Sequence, residues 1–390
     1  MKNTWGRRDS MRVVVDINHP GHVHYFKTFV REMEQRGHVV LITASHKDVA
    51  IQLLQQYGLE YVDLGSYGPS LLKKIVNILI MDLKMYRAVR NFRPDILLGF
   101  SSIRAAHASK VLGVPAIIFD DTEHAVWEHR LYTPFSDVIL TPSCFHKDLG
   151  RKQIRFDGYM ELASLHPNYF TPNPAVFTEL GLTESDPFIV VRFVSWQASH
   201  DVHQHGIRDR IGFIRALEQY GRVLITSEGV LPQELEGYQI RVSPEKLHDL
   251  LYYAALYVGE GATTASECAV LGTHAIYVNS LKLGYIAEED EKYHLISDFS
   301  GRDYTDETVL AEVERLLRNP DLRKEGREKG EKLVRDKIDV TAFMVWFIEH
   351  YPESIDLVKD YPESQQQPQY HDAERLCRIY YQRSEIGAQK

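Results

Sequence analysis

Short apolar runs alternate with longer stretches of helical pattern over the first 142 residues of the chain. The runs are six residues long and rich in Val, Ile and Leu: RVVVDI (12–17), VVLITA (39–44), DILLGF (95–100), PAIIFD (115–120) and DVILTP (137–142). Continuous apolar runs of this length are typical of strands in a parallel sheet that is covered on both faces. Residues 24–36 carry apolar side chains at helical spacing and stop at Gly37. The pattern therefore predicts a βαβ series and a doubly wound sheet.

The same alternation returns further along the chain. The later runs are FIVVRF (188–193), RVLITS (222–227), LYVGEG (256–261) and HAIYVN (274–279), with helices predicted over 244–255 and from about Thr263. A length of 390 residues, 44% of them hydrophobic, is enough to build two separate cores. We therefore predict an α/β protein of two Rossmann-like domains.

A proline-rich break separates the two series. HPNYFTPNP (166–174) places three prolines close together just before the second series begins. The predicted domains are residues 1–165, the linker 166–187, a second domain 188–338 and a C-terminal helix and tail 339–390. The tail contains YPES twice, at 351–354 and 361–364, and we expect it to be poorly ordered or packed at the periphery.

Charge and cysteine content exclude several classes of partner. With 45 basic and 54 acidic side chains the net charge is -9, which argues against nucleic acid as a partner. The 3 cysteines are far apart, so neither a disulfide framework nor a structural zinc site is expected. The beginning of the chain lacks a signal-peptide pattern and no apolar stretch is long enough to span a bilayer, which predicts a cytoplasmic location.

The loop after the first predicted strand, NHPGHVH (18–24), is the first candidate site. Gly21 lets the backbone pass close to a ligand, and the following helix start directs amide N–H groups at an anion. His19, His22 and His24 add imidazoles at the carboxyl end of a strand, where open α/β sheets bind ligands. We predict a functional cluster; the alternative is that one or two of these histidines cap the helix or bind carbonyl groups.

A second candidate is FDDTEHAVWEHR (119–130), which follows the strand PAIIFD. Carboxylates and imidazoles gathered at a strand end can act as general acid and base, and Asp121 and Glu123 are the candidates. Metal binding is a weaker alternative because no HExxH or EF-hand pattern is present. Helix capping by Asp121 or Thr122, together with surface charge, is the structural alternative.

The most specific candidate is VGEGATTASECAVLGTHAIYVN (258–279). A glycine-bearing turn leaves a strand, hydroxyl residues open a helix, and a carboxylate follows one turn later. The N–H groups near Gly261, Thr263 and Thr264 suit a diphosphate, and Glu267 can accept hydrogen bonds from both ribose hydroxyls. The motif predicts a nucleotide site.

Together these motifs resemble the GT-B glycosyltransferases. GATTASECAVLG is similar to their donor-site signature, and most similar to that of the N-acetylglucosaminyltransferase that completes the lipid-linked peptidoglycan precursor. The resemblance implies that Glu267 holds the uridine ribose and that Gly261, Thr263 and Thr264 lie near the diphosphate. PGHV (20–23) resembles that enzyme's glycine-rich loop, which makes His22 a candidate base, although this loop is shorter and less glycine-rich.

Residues 11–349 also resemble a microbial GT-B-like family of unknown function that is related to the non-hydrolysing UDP-N-acetylglucosamine 2-epimerases. Those epimerases carry a carboxylate in an HVEAG-like sequence, to which Glu123 corresponds, but they also have an acidic GDT turn where this chain has GFSS (99–102). Arg192 resembles the basic residue that faces the donor diphosphate in many GT-B enzymes; a salt bridge at the strand end is the alternative.

The resemblance implies transfer of a sugar, an N-acetylhexosamine, from a UDP-activated donor to a glycan or lipid-linked acceptor. His22, Asp121 or Glu123 would deprotonate the acceptor hydroxyl, and no cofactor or metal is expected because dipoles and basic side chains stabilise the diphosphate. The alternatives are a UDP-N-acetylglucosamine 2-epimerase and a catalytically silent GT-B binding module.

The segment 69–92 combines five basic side chains with many aliphatic ones. We expect a core helix whose lysine side chains reach the solvent. The alternative is a helix in peripheral contact with a membrane, where a lipid-linked acceptor would be found.

Overall fold

The computed structural model describes residues 10–66, 71–194, 206–227, 229–240, 242–301, 304–360 and 365, without the side chains of 71–76. In this part of the chain, fifteen α-helices and twelve strands form two parallel sheets with helices on both faces. Three short 3-10 turns lie in the second half, at Glu218–Tyr220, Gln233–Tyr238 and Pro244–Lys246.

The first sheet has the strand order β3-β2-β1-β4-β5-β6-β7. Its strands are β1 (Arg12–Ile17), β2 (Val39–Ala44), β3 (Tyr61–Asp63), β4 (Ile96–Phe100), β5 (Ala116–Phe119), β6 (Val138–Pro142) and β7 (Gln153–Phe156). Its helices are α1 (Pro20–Gln35), α2 (Ala50–Gln56), α3 (Leu71–Val89), α4 (Ile103–Leu112) and α5 (Val126–Tyr132). The strand order reverses between β1 and β4, where Val13 pairs with both Val40 and Ile96. Ligands of open α/β sheets bind at the carboxyl ends of the strands beside such a switch point.

The second sheet has the order β12-β11-β10-β8-β9. Its strands are β8 (Phe188–Phe193), β9 (Arg222–Ser227), β10 (Leu256–Gly259), β11 (Ala275–Tyr277) and β12 (Ile296–Asp298). Its helices are α8 (Arg210–Leu217), α9 (Leu247–Tyr253), α10 (Ala262–Val270), α11 (Gly284–Glu291), α12 (Asp306–Leu317) and α13 (Leu322–Asp336). The switch point of this sheet lies between β8 and β10, and α10 follows β10 at the carboxyl end of that strand.

Two parallel-sheet domains and a helical C-terminal region confirm the predicted fold class. The nine predicted strands are present within one or two residues of their expected bounds. The short strands β3, β7 and β12 were not predicted, because YVD, QIRF and ISD are too short and polar to give an apolar run. Helix α1 begins four residues earlier than predicted, with Pro20 in its first turn, where proline is well tolerated.

Helix α6 (Leu162–Leu165) ends just before the predicted linker, and the linker itself contains the short helix α7 (Ala175–Leu180). After α13 the chain returns to the first sheet as α14 (Val340–Glu349) and α15 (Glu353–Asp360). Thr341 donates a 2.7 Å hydrogen bond to the Ala163 carbonyl, and His38 pairs with Glu349 at 3.0 Å. Helix α14 is therefore part of the layer that covers the first sheet. The second YPES copy and the glutamine-rich segment from residue 366 onward lie outside the described residues, and the exact domain bounds stay a prediction.

One hydrophobic core continues from the first half of the molecule into the second. It includes Tyr25 and Leu162 on one side and Leu250 and Tyr285 on the other. We call this interface the seam: it is formed by α1, α6 and the loop after β5 in the first half, and by α9, α10 and α11 in the second. The two sets of predicted site residues meet at this seam.

Candidate functional site

The start of α10 lies at the switch point of the second sheet. Gly261 is its N-cap, in an extended conformation and without a side-chain capping bond. A Cβ atom at Gly261 would be 3.0 Å from Cδ and 3.1 Å from Nε of Arg192, so the glycine lets the arginine lie against the helix start. The first N–H groups of a helix have no intrahelical acceptor and carry its positive dipole end. Gly261, Ala262 and Thr263 are only partly buried, so a ligand can reach these groups.

One turn further on, the same helix is buried against the first half. Thr264 and Glu267 are 5% and 4% exposed, and Glu267 Oε1 lies 2.9 Å from His248 Nε2 in α9. The Glu267 carboxylate faces the seam and lies near Lys27 of α1. Burial lowers the pKa of Lys27 to about 8, and the charge of Glu267 partly opposes this shift. Glu267, the residue predicted to bind the ribose, thus already has a hydrogen-bond partner within the protein. Its role in ribose binding stays a prediction.

In the first half, His19 and His22 have different surroundings. His19 is the N-cap of α1, and its Nδ1 accepts a 3.2 Å hydrogen bond from the Gly21 amide, so it caps the helix. Its predicted part in ligand binding stays a prediction. His22 is 7% exposed, its ring centroid lies 4.8 Å from that of Phe100, and its Nδ1 has no hydrogen-bond partner in the described structure. Burial, with the charges of His19 and Arg104, lowers the pKa of His22 well below 6.5. The neutral imidazole is the form that can accept a proton.

Two buried carboxyl groups lie around Tyr25, close to His22. The Tyr25 hydroxyl donates a 3.1 Å hydrogen bond to Glu161, which is 2% exposed, and burial raises the pKa of Glu161 to about 7. Burial and the nearby Glu161 raise the pKa of Asp121 well above 3.8. Both shifts favour the protonated form, which can donate a proton. The seam therefore holds an imidazole whose pKa is lowered next to two carboxyl groups whose pKa values are raised.

Sequence reasoning missed Glu161. It lies just before α6, where the surrounding YMELASL contains no recognisable motif. The only available signal was an acidic residue inside an otherwise apolar stretch, which is unusual unless the carboxyl group has a specific partner.

Glu123 connects the two halves. Its Oε1 accepts a hydrogen bond from the Gly284 amide at 3.0 Å and one from the His146 amide at 3.3 Å. A side chain at position 284 would collide with the Cys144 carbonyl, so the start of α11 can approach this closely only as glycine. Burial raises the pKa of Glu123. These contacts give Glu123 a structural task at the seam, and its predicted catalytic role stays untested.

A buried hydrogen-bond network lies at the switch point of the first sheet. The sequence did not reveal this network. Asp16 at the end of β1 is fully buried and accepts hydrogen bonds from Arg104 Nε at 2.8 and 2.9 Å, from Ser102 at 2.5 Å and from Thr43 at 2.8 Å. Asp16 thus places a carboxylate beside the GFSS turn (99–102), which stands where the epimerases have an acidic GDT turn. The network fixes Arg104 at a position where its charge acts on His22.

Several other surfaces lie away from the seam. A cavity of about 470 Å³ is lined by residues of β12, α12 and α13, and one of about 580 Å³ by residues around Lys110 and Tyr351. No group of three potential metal ligands occurs among the residues described. None of the described helices is both long and apolar enough to cross a bilayer.

Helix α3 combines a buried and an exposed apolar face. Met81, Met85 and Val89 are buried in the core, whereas Leu79 and Leu83 are 66% and 47% exposed. The buried face agrees with the expected core helix. The exposed apolar face leaves peripheral membrane contact as a prediction.

Comparisons with known proteins agree with this architecture. A family model described as "Protein of unknown function (DUF354)" matches residues 11–341. The uncharacterized protein MJ0665 of Methanocaldococcus jannaschii is 24% identical over 306 residues, 73% of this chain and 88% of that protein.

Solved structures share the fold at low sequence identity. The UDP-GlcNAc 2-epimerase from Neisseria meningitidis, bound to UDP-GlcNAc, superposes with a TM-score of 0.63 and 13% identity, covering 87% of this chain and 99% of that one. The glycotransferase of kitacinnamycin superposes with a TM-score of 0.56 and 13% identity, covering 88% and 100%. The chain has the GT-B fold, which glycosyltransferases and these epimerases have in common.

Proposed function

Since this chain belongs to the DUF354 family and has the GT-B fold, we propose that it transfers a sugar from a UDP-activated donor to a glycan or lipid-linked acceptor. The donor sugar we propose is an N-acetylhexosamine. The proposal depends on one observation: Arg192 lies against the partly open N-terminus of α10, at the switch point of the second sheet. A guanidinium group beside free helix amides is a suitable site for a diphosphate.

The second half would bind the nucleotide and stabilise the leaving group. Negative charge that develops on the diphosphate would be stabilised by the α10 dipole and by Arg192, so the proposed reaction needs neither a bound metal ion nor a cofactor. Thr263 and Thr264 supply amide groups in the first turn, and Glu267 would accept hydrogen bonds from the ribose.

The first half would activate the acceptor. His22 is the proposed base, because its buried Nδ1 has no hydrogen-bond partner in the described structure and its lowered pKa keeps the imidazole unprotonated. Asp121, whose pKa burial raises well above 3.8, is less suited to that step than His22. A nucleotide bound at α10 would lie across the seam from His22, with Tyr25 between them.

The diphosphate site can be tested by comparing two ligands. Arg192→Ala is expected to weaken UDP binding about 10- to 100-fold, since a hydrogen bond to a charged group contributes about 1.5–3 kcal/mol. Binding of uridine, which has no phosphate, should be unchanged. Isothermal titration calorimetry measures both affinities, with the exposed Arg215→Ala in the same half as the matched control.

A nucleotide-sugar panel then tests the reaction. UDP release that requires an acceptor supports sugar transfer. If the wild-type protein neither binds UDP nor releases it from any nucleotide-sugar, with or without an acceptor, the proposed function is wrong.

The pairing of an imidazole of lowered pKa with carboxyl groups of raised pKa also favours a second candidate, a UDP-N-acetylglucosamine 2-epimerase. Such an enzyme must remove a proton from the sugar C2 and return one, for which separate acid and base groups are required. This chemistry predicts that deuterium from D₂O enters C2 without an acceptor, as measured by mass spectrometry. A transferase leaves that C–H bond intact, so the absence of deuterium together with acceptor-dependent UDP release eliminates the epimerase.

A further inference from the structure

The Glu267 carboxylate is held by a histidine of its own half. His248 Nε2 lies 2.9 Å from Glu267 Oε1, and the two residues are 1% and 4% exposed. Both belong to the second half, on the neighbouring helices α9 and α10. The contact therefore does not depend on whether the two halves are together or apart.

Aromatic rings fix the position of the His248 ring. His24 of α1 packs against it at 4.4 Å between centroids and an angle of 61°, from the opposite side of the seam. Phe170 contacts it edge-on at 6.1 Å and 87°. These contacts leave the His248 ring little freedom to rotate, so its Nε2 stays directed at Glu267.

A carboxylate can accept about four hydrogen bonds, two at each oxygen. One bond from His248 fixes the rotation of the Glu267 carboxylate and leaves most of its acceptor sites for other donors. Two ribose hydroxyls, which are neighbouring donors on a rigid ring, need such a carboxylate in one orientation. An unfixed glutamate would lose rotamer entropy on binding them.

We propose that His248 is a positioning residue that orients Glu267 toward the ribose hydroxyls and thereby makes the site select ribonucleotides over deoxyribonucleotides. This inference rests on the proposed function, because it assigns the ligand of Glu267 to a uridine nucleotide. Because His24 packs on His248 from the first half, the orientation is fixed most firmly when the seam is closed.

The test measures the affinity ratio of UDP to 2′,3′-dideoxy-UDP, which has the same diphosphate and base but no ribose hydroxyls. We expect the wild-type protein to prefer UDP. His248→Phe, which keeps a ring but no donor, should reduce the preference about 10- to 100-fold, the value of one hydrogen bond to a charged group. His248→Gln, whose amide nitrogen can reach the position of Nε2, should restore it. His274→Phe, at another buried histidine of the same half, which is 5% exposed, is the matched control.

A purely structural role for His248 would lower the affinity for both nucleotides and leave their ratio unchanged. That result overturns the inference. His248→Asn is a second variant, because its amide is too short to reach Glu267 Oε1. An unchanged affinity ratio in His248→Asn also overturns the inference. Equal affinity of the wild-type protein for the two nucleotides overturns the inference but leaves the diphosphate site standing. If UDP does not bind at all, the proposed function is overturned as well.

Discussion

Replacing His22 with alanine is expected to lower the rate of sugar transfer by about 10²- to 10⁴-fold, the contribution of a well-placed general base. The affinity for UDP should stay the same, because the proposed nucleotide site lies on α10 and β8 in the other half. The buried Nδ1 of His22, unpartnered within the described structure, is consistent with a group whose bonding partner is a ligand.

The pH dependence of the wild-type rate provides a second measure. A base must be unprotonated to act, and burial lowers the pKa of His22 well below 6.5. The rate should therefore be constant around pH 7 and fall only when the pH drops through the lowered pKa. A profile that instead declines below pH 7 would assign the base to a group with a higher pKa, such as Glu161 at about 7.

The control for this prediction is His46→Ala. His46 also lies in the first half, but its side chain is 53% exposed and pairs with Asp63 at the surface. Its replacement should leave the rate within a factor of about two, since exposed pairs contribute little. If His22→Ala transfers sugar at the normal rate and Asp121→Asn loses most of its rate, the base is Asp121, in the loop after β5.

The second large effect concerns stability. Arg104→Leu is expected to lower the free energy of unfolding by about 3–5 kcal/mol, because it leaves the buried Asp16 carboxyl group without its cation. Arg104 and Asp16 are 2% and 0% exposed in their side chains, and no solvent can replace the lost partner. Chemical denaturation with urea, followed by circular dichroism, measures the change.

Lys110→Leu is the matched control. Lys110 pairs with Asp137 at 2.8 Å, also in the first half, but the two side chains are 41% and 32% exposed. An exposed pair contributes about 0–1 kcal/mol, so this variant should unfold almost like the wild type. An equal decrease in the free energy of unfolding in both variants would show that the buried pair stabilises this fold no more than the exposed pair does.

The sequence was sufficient to predict the fold class because that information is local. A run such as FIVVRF needs only its own composition to indicate a buried parallel strand, and β8 covers the predicted residues. The nearness of Arg192 to Gly261 also follows from local patterns, since both lie at the carboxyl ends of parallel strands, and these ends meet at one edge of a sheet.

Other features could not be predicted from the sequence because they depend on pairs of residues that are distant in the chain. Tyr25 and Glu161 are separated by 136 positions, and Asp16 and Arg104 by 88. No periodicity or motif couples such positions, so the sequence could not show that Glu161 is buried beside α1.

What the sequence by itself determined is nine of the twelve described strands, the fold class and the donor-like motif on α10, because propensity and apolar pattern act over a few residues. The tertiary structure alone decided that α14 returns to the first sheet, that Glu123 binds the start of α11 and that His248 holds Glu267. The physical reason is that burial, pKa and hydrogen-bond partners are properties of the space around a side chain, and that space is filled by distant parts of the chain.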